Sequence, residues 1–323
     1  MKRREFIKLF AGGAAAACPL AARAQQATKI PTIGILLTGN PDPELFLVGF
    51  RDALREVGYI DGRNARLEMR TAGGTAALLP EKAGELVRLK VDVIVTSLTP
   101  TAEAAKRATS DIPIVMAAAG DPVATGLIDS LARPGGNVTG IATASAEFAG
   151  KSIDLIREAV PSARRIAVLA NEADPFSRPF LAHIYQGALP LGIEVETVLT
   201  RPETRLDASF MELAKKQVDA LIVQASLLRK EVFDLAIKHR LPTFSSNRQV
   251  ADAGGLMSYS ASSEEVFRLA AGYVDLVLKG RKPADLPVSQ PTKFELVINL
   301  KTAQALGIVI SPTLLARADR VIE

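Results

Sequence analysis

The 323-residue sequence has no tryptophan, a single cysteine and only two histidines. Cys18 lies in the leader-like N-terminus, so the rest of the chain has no thiol for disulfides, thiolate catalysis or a cysteine-based zinc site. His183 and His239 lie in predicted helices far apart in the sequence, which argues against a metal pair or a catalytic dyad. We therefore expect neither a metal nor another cofactor.

Phosphate-binding and nucleophile motifs are also missing. No Gly-x-Gly-x-x-Gly opens a helix after the first predicted strand, and neither a Walker loop nor a Gly-x-Ser-x-Gly elbow occurs. After the leader, no apolar run is long enough to span a bilayer. These absences argue against an enzyme, although an exported α/β enzyme stays open as an alternative if its cleft held a nucleophile or base with an orienting partner.

The N-terminus has the features of an export signal. Arg3 and Arg4 precede a mild apolar run over residues 9–18, and Ala22 and Ala24 form an A-x-A end. A twin-arginine signal over residues 1–24, cleaved after Ala24, predicts a periplasmic protein. A membrane anchor would need a longer apolar run. A lipidated cysteine usually has a leucine a few positions before it, whereas the residues before Cys18 are alanines.

Removing this leader changes the charge. It takes away five of the 39 basic side chains and one of the 35 acidic ones, which leaves 34 of each. No cluster of lysine and arginine is interleaved with aromatic residues. A neutral mature chain of this kind does not indicate a nucleic-acid partner.

Apolar runs alternate with segments of helical periodicity along the chain. Strands are predicted at 29–38, 65–69, 91–97, 112–118 and 138–143, with helices between the first four at 44–57, 78–89 and 101–109. The alternation restarts after residues 134–137, with helices at 146–160, 175–189, 206–216 and 230–239 and strands at 165–170, 194–199, 220–224 and 241–245. Later elements are predicted at 256–261, 264–278, 294–299 and 301–306. This pattern predicts two Rossmann-like, doubly wound α/β lobes with parallel sheets.

Polar residues follow many of the predicted strands, where open α/β sheets bind their ligands. Ser97 and Thr99 could present hydroxyls and amides to a carboxylate, whereas Asp121 and Asp174 could receive an ammonium group. Simple helix capping would explain each residue equally well on its own. As a set they predict a cleft whose ligand-binding residues are Thr38, Gly39, Asn40, Ser97, Thr99, Gly120, Asp121, Asn171, Asp174, Gln224, Ser226, Asn247 and Tyr259.

The aromatic content bears on the class of ligand. Sugar sites usually stack the ring on tryptophan or tyrosine, but this chain has no tryptophan and four tyrosines. Tyr259, on a late predicted strand, is the tyrosine best placed to face a cleft. An amino acid or a small carboxylate fits this composition better than a sugar.

Several segments together resemble a known family. They read GFR at 49–51, GYIDGRN at 58–64, ELV at 85–87, VDVIV at 91–95, GDPV at 120–123, LARPGGNVTG at 131–140, AGGLMSY at 253–259, KGRKPADLPV at 279–288 and PTKFELVIN at 291–299. In combination they resemble the ABC-transporter substrate-binding proteins whose best-understood members bind tryptophan or tyrosine. The resemblance covers essentially the whole mature chain.

The resemblance implies a type I periplasmic binding fold with three crossing segments, near 139–143, 257–261 and 288–291. It implies an N-terminal lobe of residues 28–141 plus 259–289 and a C-terminal lobe of residues 142–258 plus 290–323. It also implies a monomer that captures a small polar ligand by hinge closure and delivers it to an ABC permease, with an aromatic amino acid as the leading candidate for that ligand. A periplasmic sensor subunit that uses the same cleft for signalling stays open as an alternative.

Overall fold

The computed structural model describes residues 29–39, 43–143 and 145–323, which form two β-sheets of five and seven strands. Each sheet is covered on both faces. In the first strand Ile33 and Ile35 join one apolar cluster while Leu36 joins another, because alternate side chains of a strand point to opposite faces. In the second sheet Val168 and Leu169 divide in the same way. The predicted two-lobed α/β fold is therefore confirmed.

The first sheet has the strand order β2-β1-β3-β4-β5, with every neighbouring pair parallel. With its helices it forms the first lobe. The elements are β1 (Thr32–Leu37), α1 (Pro43–Glu56), β2 (Arg66–Thr71), α2 (Leu79–Arg88), β3 (Val93–Ser97), α3 (Thr99–Ala108), β4 (Ile114–Gly120) and β5 (Val138–Thr143).

The second sheet has the order β12-β11-β10-β9-β8-β6-β7 and belongs to the second lobe. Its strands are β6 (Arg165–Asn171), β7 (Glu194–Thr200), β8 (Ala220–Val223), β9 (Thr243–Ser245), β10 (Met257–Ala261), β11 (Phe294–Asn299) and β12 (Arg320–Ile322). The helices that follow β5 are α4 (Ser145–Ala159), α5 (Ser177–Ala188), α6 (Asp207–Lys215), α7 (Lys230–Lys238), α8 (Gln249–Asp252), α9 (Ser263–Leu278), α10 (Leu300–Leu306) and α11 (Pro312–Ala316).

Helix α9 belongs to the first lobe although it follows a strand of the second. Its buried residues Val266, Ala270 and Val274 join the cluster that contains Ile33 and Phe50. Their spacing of four places them along one helical stripe, which is the face that packs on the sheet. The chain therefore crosses between lobes after β5, after β10 and before β11.

Two of these crossings are hydrogen-bonded to each other. The Ser289 N–H donates to the Gly140 carbonyl over 3.0 Å, and the Ala142 N–H donates to the Ser289 carbonyl over 2.9 Å. Residues 139–143 and 288–291, both predicted crossings, thus lie side by side. Residues 257–261 form β10 within the second sheet as far as Ala261. The exact lobe boundaries stay a prediction.

The sequence pattern predicts that the second sheet is wholly parallel, and this is wrong for one strand: β11 runs antiparallel to β10. The chain leaves this sheet at the end of β10, builds α9 in the first lobe and returns beside β5 before it enters β11. The chain re-enters the sheet at the carboxyl end of β10, which is where it left, so β11 must run in the opposite direction to β10.

Three short elements were not predicted: α8, α11 and β12 are too brief to carry a periodic signal. Helix α3 begins at Thr99 rather than at residue 101, with Pro100 in its first turn, where a missing N–H costs no hydrogen bond.

No helix among the described residues is both long and apolar enough to cross a membrane.

Candidate functional site

A cleft of about 520 Å³ lies between the two lobes, at the carboxyl ends of strands from both sheets. This size is within the range of small-molecule sites, roughly 300–1,000 Å³. The first lobe contributes the segments that follow β1, β3 and β4, and the second contributes those that follow β6, β8 and β9. The predicted residues that line it are Thr38, Gly39, Ser97, Thr99, Gly120, Asp174, Gln224, Ser226 and Asn247.

On the second lobe, the carboxylate of Asp174 is the centre of a buried hydrogen-bond network. Gln224 Nε2 and Ser226 Oγ each donate to Asp174 Oδ2 over 2.8 Å, and the Phe176 N–H donates to Oδ1 over 2.9 Å. The residue is only 6% exposed. These donors fix the orientation of the carboxylate but supply no positive charge.

Asn171 lies behind this network and supports it. Its backbone N–H donates to Gln224 Oε1 over 2.8 Å, and its Nδ2 donates to Ser226 Oγ over 3.3 Å. Ser177 Oγ also donates to Gln224 Oε1, over 2.8 Å. Asn171 is not among the residues that line the cleft, so its role in this structure is to orient Gln224 and Ser226.

Burial raises the pKa of Asp174 to about 6, although the hydrogen bonds from Phe176 and Ser226 act to lower it. Glu103, in α3 of the opposite lobe, adds a further upward effect through charge repulsion. Among the described residues, no lysine, arginine or histidine forms an ion pair with Asp174. A ligand cation at this position would relieve the cost of the buried charge.

Two arginines also line the cleft, and each already pairs with a carboxylate. Arg248 Nη1 lies 3.4 Å from Glu295 Oε2, and Arg320 Nη2 lies 2.8 Å from Asp252 Oδ1. These four side chains are partly exposed. The positive charge at this side of the cleft is thus already balanced.

On the first lobe, Thr99 joins the loops that follow β3 and β4. Its Oγ1 accepts from the Gly120 N–H over 3.1 Å and lies 3.3 Å from the Gly120 carbonyl oxygen. The preceding residue, Leu98, adopts a positive φ of 72°, and its N–H donates to the Ala118 carbonyl. The loop is therefore held at both ends where it borders the cleft.

Phenylalanines supply the aromatic surface of the cleft, and sequence reasoning missed them because it considered only tryptophan and tyrosine. Phe46 and Phe267 of the first lobe meet edge to face, with ring centroids 5.1 Å apart and planes at 84°. Phe176 and Phe180 of the second lobe lie 5.8 Å apart. Such walls accept a flat apolar group.

Three of the predicted residues are not brought to the cleft, and a fourth lies outside the described residues. Asp121 Oδ1 accepts from the Ala124 N–H over 3.0 Å, so its carboxylate caps the turn that follows β4. Tyr259 packs against Phe294 at 5.9 Å between ring centroids, within the second sheet. Asn171 lies behind the network, and Asn40 lies outside the described residues.

Cleft residues missed by the sequence analysis include Ser260, at the end of β10. Only the pairing of β10 in the second sheet brings it to the cleft, and no local motif marks it.

Metal binding has no support in residues 29–39, 43–143 and 145–323, where no group of three or more histidine, cysteine, aspartate or glutamate side chains is arranged to hold an ion.

Comparison with known proteins gives the family. A family model described as ABC transporter substrate binding protein matches residues 40–322. A curated tyrosine-binding protein of Clostridioides difficile is 30% identical over 283 residues, which is 86% of this chain and 81% of that protein. A Streptococcus pneumoniae ABC domain solved in complex with L-Trp is 30% identical, with a TM-score of 0.82 over 90% of this chain and 99% of that one.

A conserved domain protein from Vibrio cholerae is similar to the same extent, with 28% identity and a TM-score of 0.84 over 91% of this chain and 100% of that one. The chain therefore belongs to the ABC transporter substrate-binding protein family, and its fold is that of type I periplasmic binding proteins. The matching family and the curated relative are binding proteins and not enzymes, which confirms the prediction that this chain is not an enzyme.

Proposed function

We propose that this substrate-binding protein captures an aromatic amino acid in the cleft between its lobes and delivers it to a membrane permease. The observation that carries the proposal is the buried Asp174 carboxylate, which borders the cleft and has no cation among the described residues. An uncompensated buried charge is costly, so a bound ammonium group gains a strong interaction there. A ligand that carries only a carboxylate would instead meet like charge.

The phenylalanines support an aromatic ligand. Phe46 and Phe267 border the cleft from one lobe and Phe176 from the other, so a flat ring would be enclosed from both sides. The relatives agree with this chemistry, since one is a tyrosine-binding protein and another was solved with L-Trp.

Hinge closure is the proposed mechanism. Ligand would bind to one lobe, and the other would fold over it and exclude water from the hydrogen bonds. The paired crossing segments at Gly140 and Ser289 provide a hinge. Family membership supports recognition of the closed form by an ABC permease, and the twin-arginine start and the Ala24 site, which lie outside the described residues, support export to the periplasm.

The proposal can be tested on the chain from Gln25 onward, unfolded and refolded to remove carried-over ligand. Thermal shifts and calorimetry would compare L-tyrosine, L-tryptophan and L-phenylalanine with 3-(4-hydroxyphenyl)propionate, which keeps the ring and carboxylate but has no ammonium group. A ligand at a hundredfold excess over its dissociation constant should stabilise the protein by about 2.7 kcal/mol.

We expect binding of at least one of the three amino acids and no binding of the propionate. Binding of the propionate at similar affinity would contradict the role given to Asp174. Failure of all three amino acids, with a response to sugars or polyamines, would overturn the ligand class.

A further inference from the structure

Ser260 has a buried hydroxyl that the protein leaves unused. The residue is next to last in β10, lines the cleft and is 5% exposed. Its Oγ has no hydrogen-bond partner among the described residues. Buried hydroxyls normally have a partner, so an orphaned one at a binding site indicates a group supplied by a ligand.

Two other buried hydroxyls that line the cleft provide a contrast. Thr99 Oγ1 accepts from the Gly120 N–H, and Ser226 Oγ donates to Asp174. Both are therefore used by the protein to hold the walls of the site. Ser260 differs from them in having its full hydrogen-bonding capacity available.

Strand order gives the separation between Ser260 and Asp174. Asp174 follows β6, and the order β6-β8-β9-β10 places Ser260 three strands away at the same edge of the sheet. At about 4.8 Å per strand the two positions are roughly 14 Å apart, and the Asp174 network reaches part of the way toward β8. The ammonium and carboxylate groups of one amino acid are too close together to contact both positions.

The far end of an aromatic amino acid does fit this distance. Tyrosine measures roughly 7 Å from its ammonium nitrogen to its phenolic oxygen, and a hydrogen bond of about 2.8 Å at each end brings the span to roughly 13 Å. Directly after Ser260, helix α9 contributes Val266 and Phe267 to the cleft. The cleft that the hydroxyl borders thus also has apolar side chains suited to a ring.

We propose that Ser260 is the specificity-determining residue that hydrogen-bonds the polar tip of the ligand ring and so selects a phenol over an unsubstituted phenyl group. This inference rests on the proposed function, with Asp174 holding the ammonium end. A ring without a polar tip would leave the Ser260 hydroxyl buried and unpaired, which is the kind of penalty that discriminates strongly between ligands.

Calorimetry with L-tyrosine and L-phenylalanine would test this on the refolded chain and on Ser260→Ala. The wild-type protein should bind tyrosine at least about tenfold more tightly than phenylalanine. Ser260→Ala should lose about tenfold in tyrosine affinity, keep its phenylalanine affinity within about twofold, and so remove most of the preference. Ser258→Ala is the matched control, because Ser258 is buried in the same strand, does not line the cleft and donates to the Arg248 carbonyl.

The outcomes are distinguishable. Equal binding of the two ligands by the wild-type protein, or an unchanged ratio in a folded Ser260→Ala variant, would overturn the role of Ser260 and leave the proposed function intact. Equal loss of preference in Ser258→Ala would also overturn it, because the effect would then come from the strand as a whole. Failure of the wild-type protein to bind either of these two amino acids would overturn the role of Ser260, and failure to bind L-tryptophan as well would contradict the proposed function.

Discussion

The phenyl ring of Phe176 in the second lobe lies directly against Gly120 in the first, so that a Cβ atom added to Gly120 would be 2.6 Å from the ring. Atoms do not approach this closely without displacement of one of them. The contact joins the two walls of the cleft, and it can form only when the lobes are together. It therefore depends on glycine at position 120.

Gly120→Ala should hinder closure, because the methyl group would have to displace the Phe176 ring. We expect ligand affinity to fall by about tenfold or more. Titration calorimetry would measure the effect of Gly120→Ala in the wild-type protein and in Phe176→Ala. In Phe176→Ala the added methyl group should cost much less affinity, because the ring that it would displace is gone.

Gly272→Ala is the control for this substitution, since a Cβ there meets no atom within 4 Å. It should leave affinity unchanged and stabilise α9 slightly, by up to about 1 kcal/mol. Unchanged affinity in Gly120→Ala would show that the Phe176 contact does not limit closure.

Amino-acid affinity should fall as the pH is lowered through about 6, because protonation removes the charge on Asp174 that holds the ammonium group. The loss should approach tenfold per pH unit well below that value. Calorimetry between pH 5 and 8 would follow it.

Asp174→Asn should bind weakly at every pH and lose this dependence. Asp121→Asn is the matched control, because Asp121 also follows a strand and precedes proline but does not line the cleft. An equal loss in both variants would argue against an ammonium site at Asp174.

The stability of the ligand-free protein should change with pH in the opposite direction from affinity. The pKa of Asp174 is raised from 3.8 to about 6 in the folded state, so the native protein takes up a proton before the unfolded chain does. The free energy of unfolding should therefore gain from this residue as the pH falls from about 7 to about 4, by roughly 2.4 kcal/mol.

Chemical denaturation of the wild-type protein and of Asp174→Asn would isolate this contribution, since other carboxylates titrate in both. Glu265 is one of them: burial acts to raise its pKa, but the hydrogen bonds from Lys293 and Thr292 lower it below the usual value. A difference between the two proteins that does not vary with pH would contradict the prediction.

Gly140→Ala should destabilise the protein strongly, because Gly140 has a φ of 122° and a Cβ there would lie 2.3 Å from the Met116 carbonyl oxygen. Backbone atoms cannot move aside as a side chain can, so we expect a loss of at least about 2 kcal/mol in unfolding free energy. Denaturant titration would measure it against Gly136→Ala, where a Cβ meets no atom within 4 Å. A loss of similar size at both positions would remove the special role of Gly140.

The two Asp-Pro pairs show what the sequence could and could not predict. Strand and helix periodicity correctly placed Asp121 and Asp174 after strands of the two lobes, because apolar patterns depend only on nearby residues. Their different roles depend on partners distant in the chain. Asp174 meets Gln224 and Ser226, more than forty positions away, whereas Asp121 is bonded to Ala124 within its own turn.

The same limit applies to the aromatic surface. Phe267 belongs to a helix that the sequence predicted well, but only the return of that helix to the first lobe places its ring opposite Phe46. The direction of β11 likewise depends on the edge at which the chain re-enters the sheet. Pattern identifies elements, whereas the crossings between lobes decide which of them meet.

The return of α9 to the first lobe also sets an order for biosynthesis. The cluster that contains Ile33 and Phe50 is completed by Val266, Ala270 and Val274, which leave the ribosome only after the strands β6 to β10 of the second lobe. Domains usually fold in the order of their synthesis. Here we expect the N-terminal residues to wait, incompletely packed, until nearly the whole chain has been made.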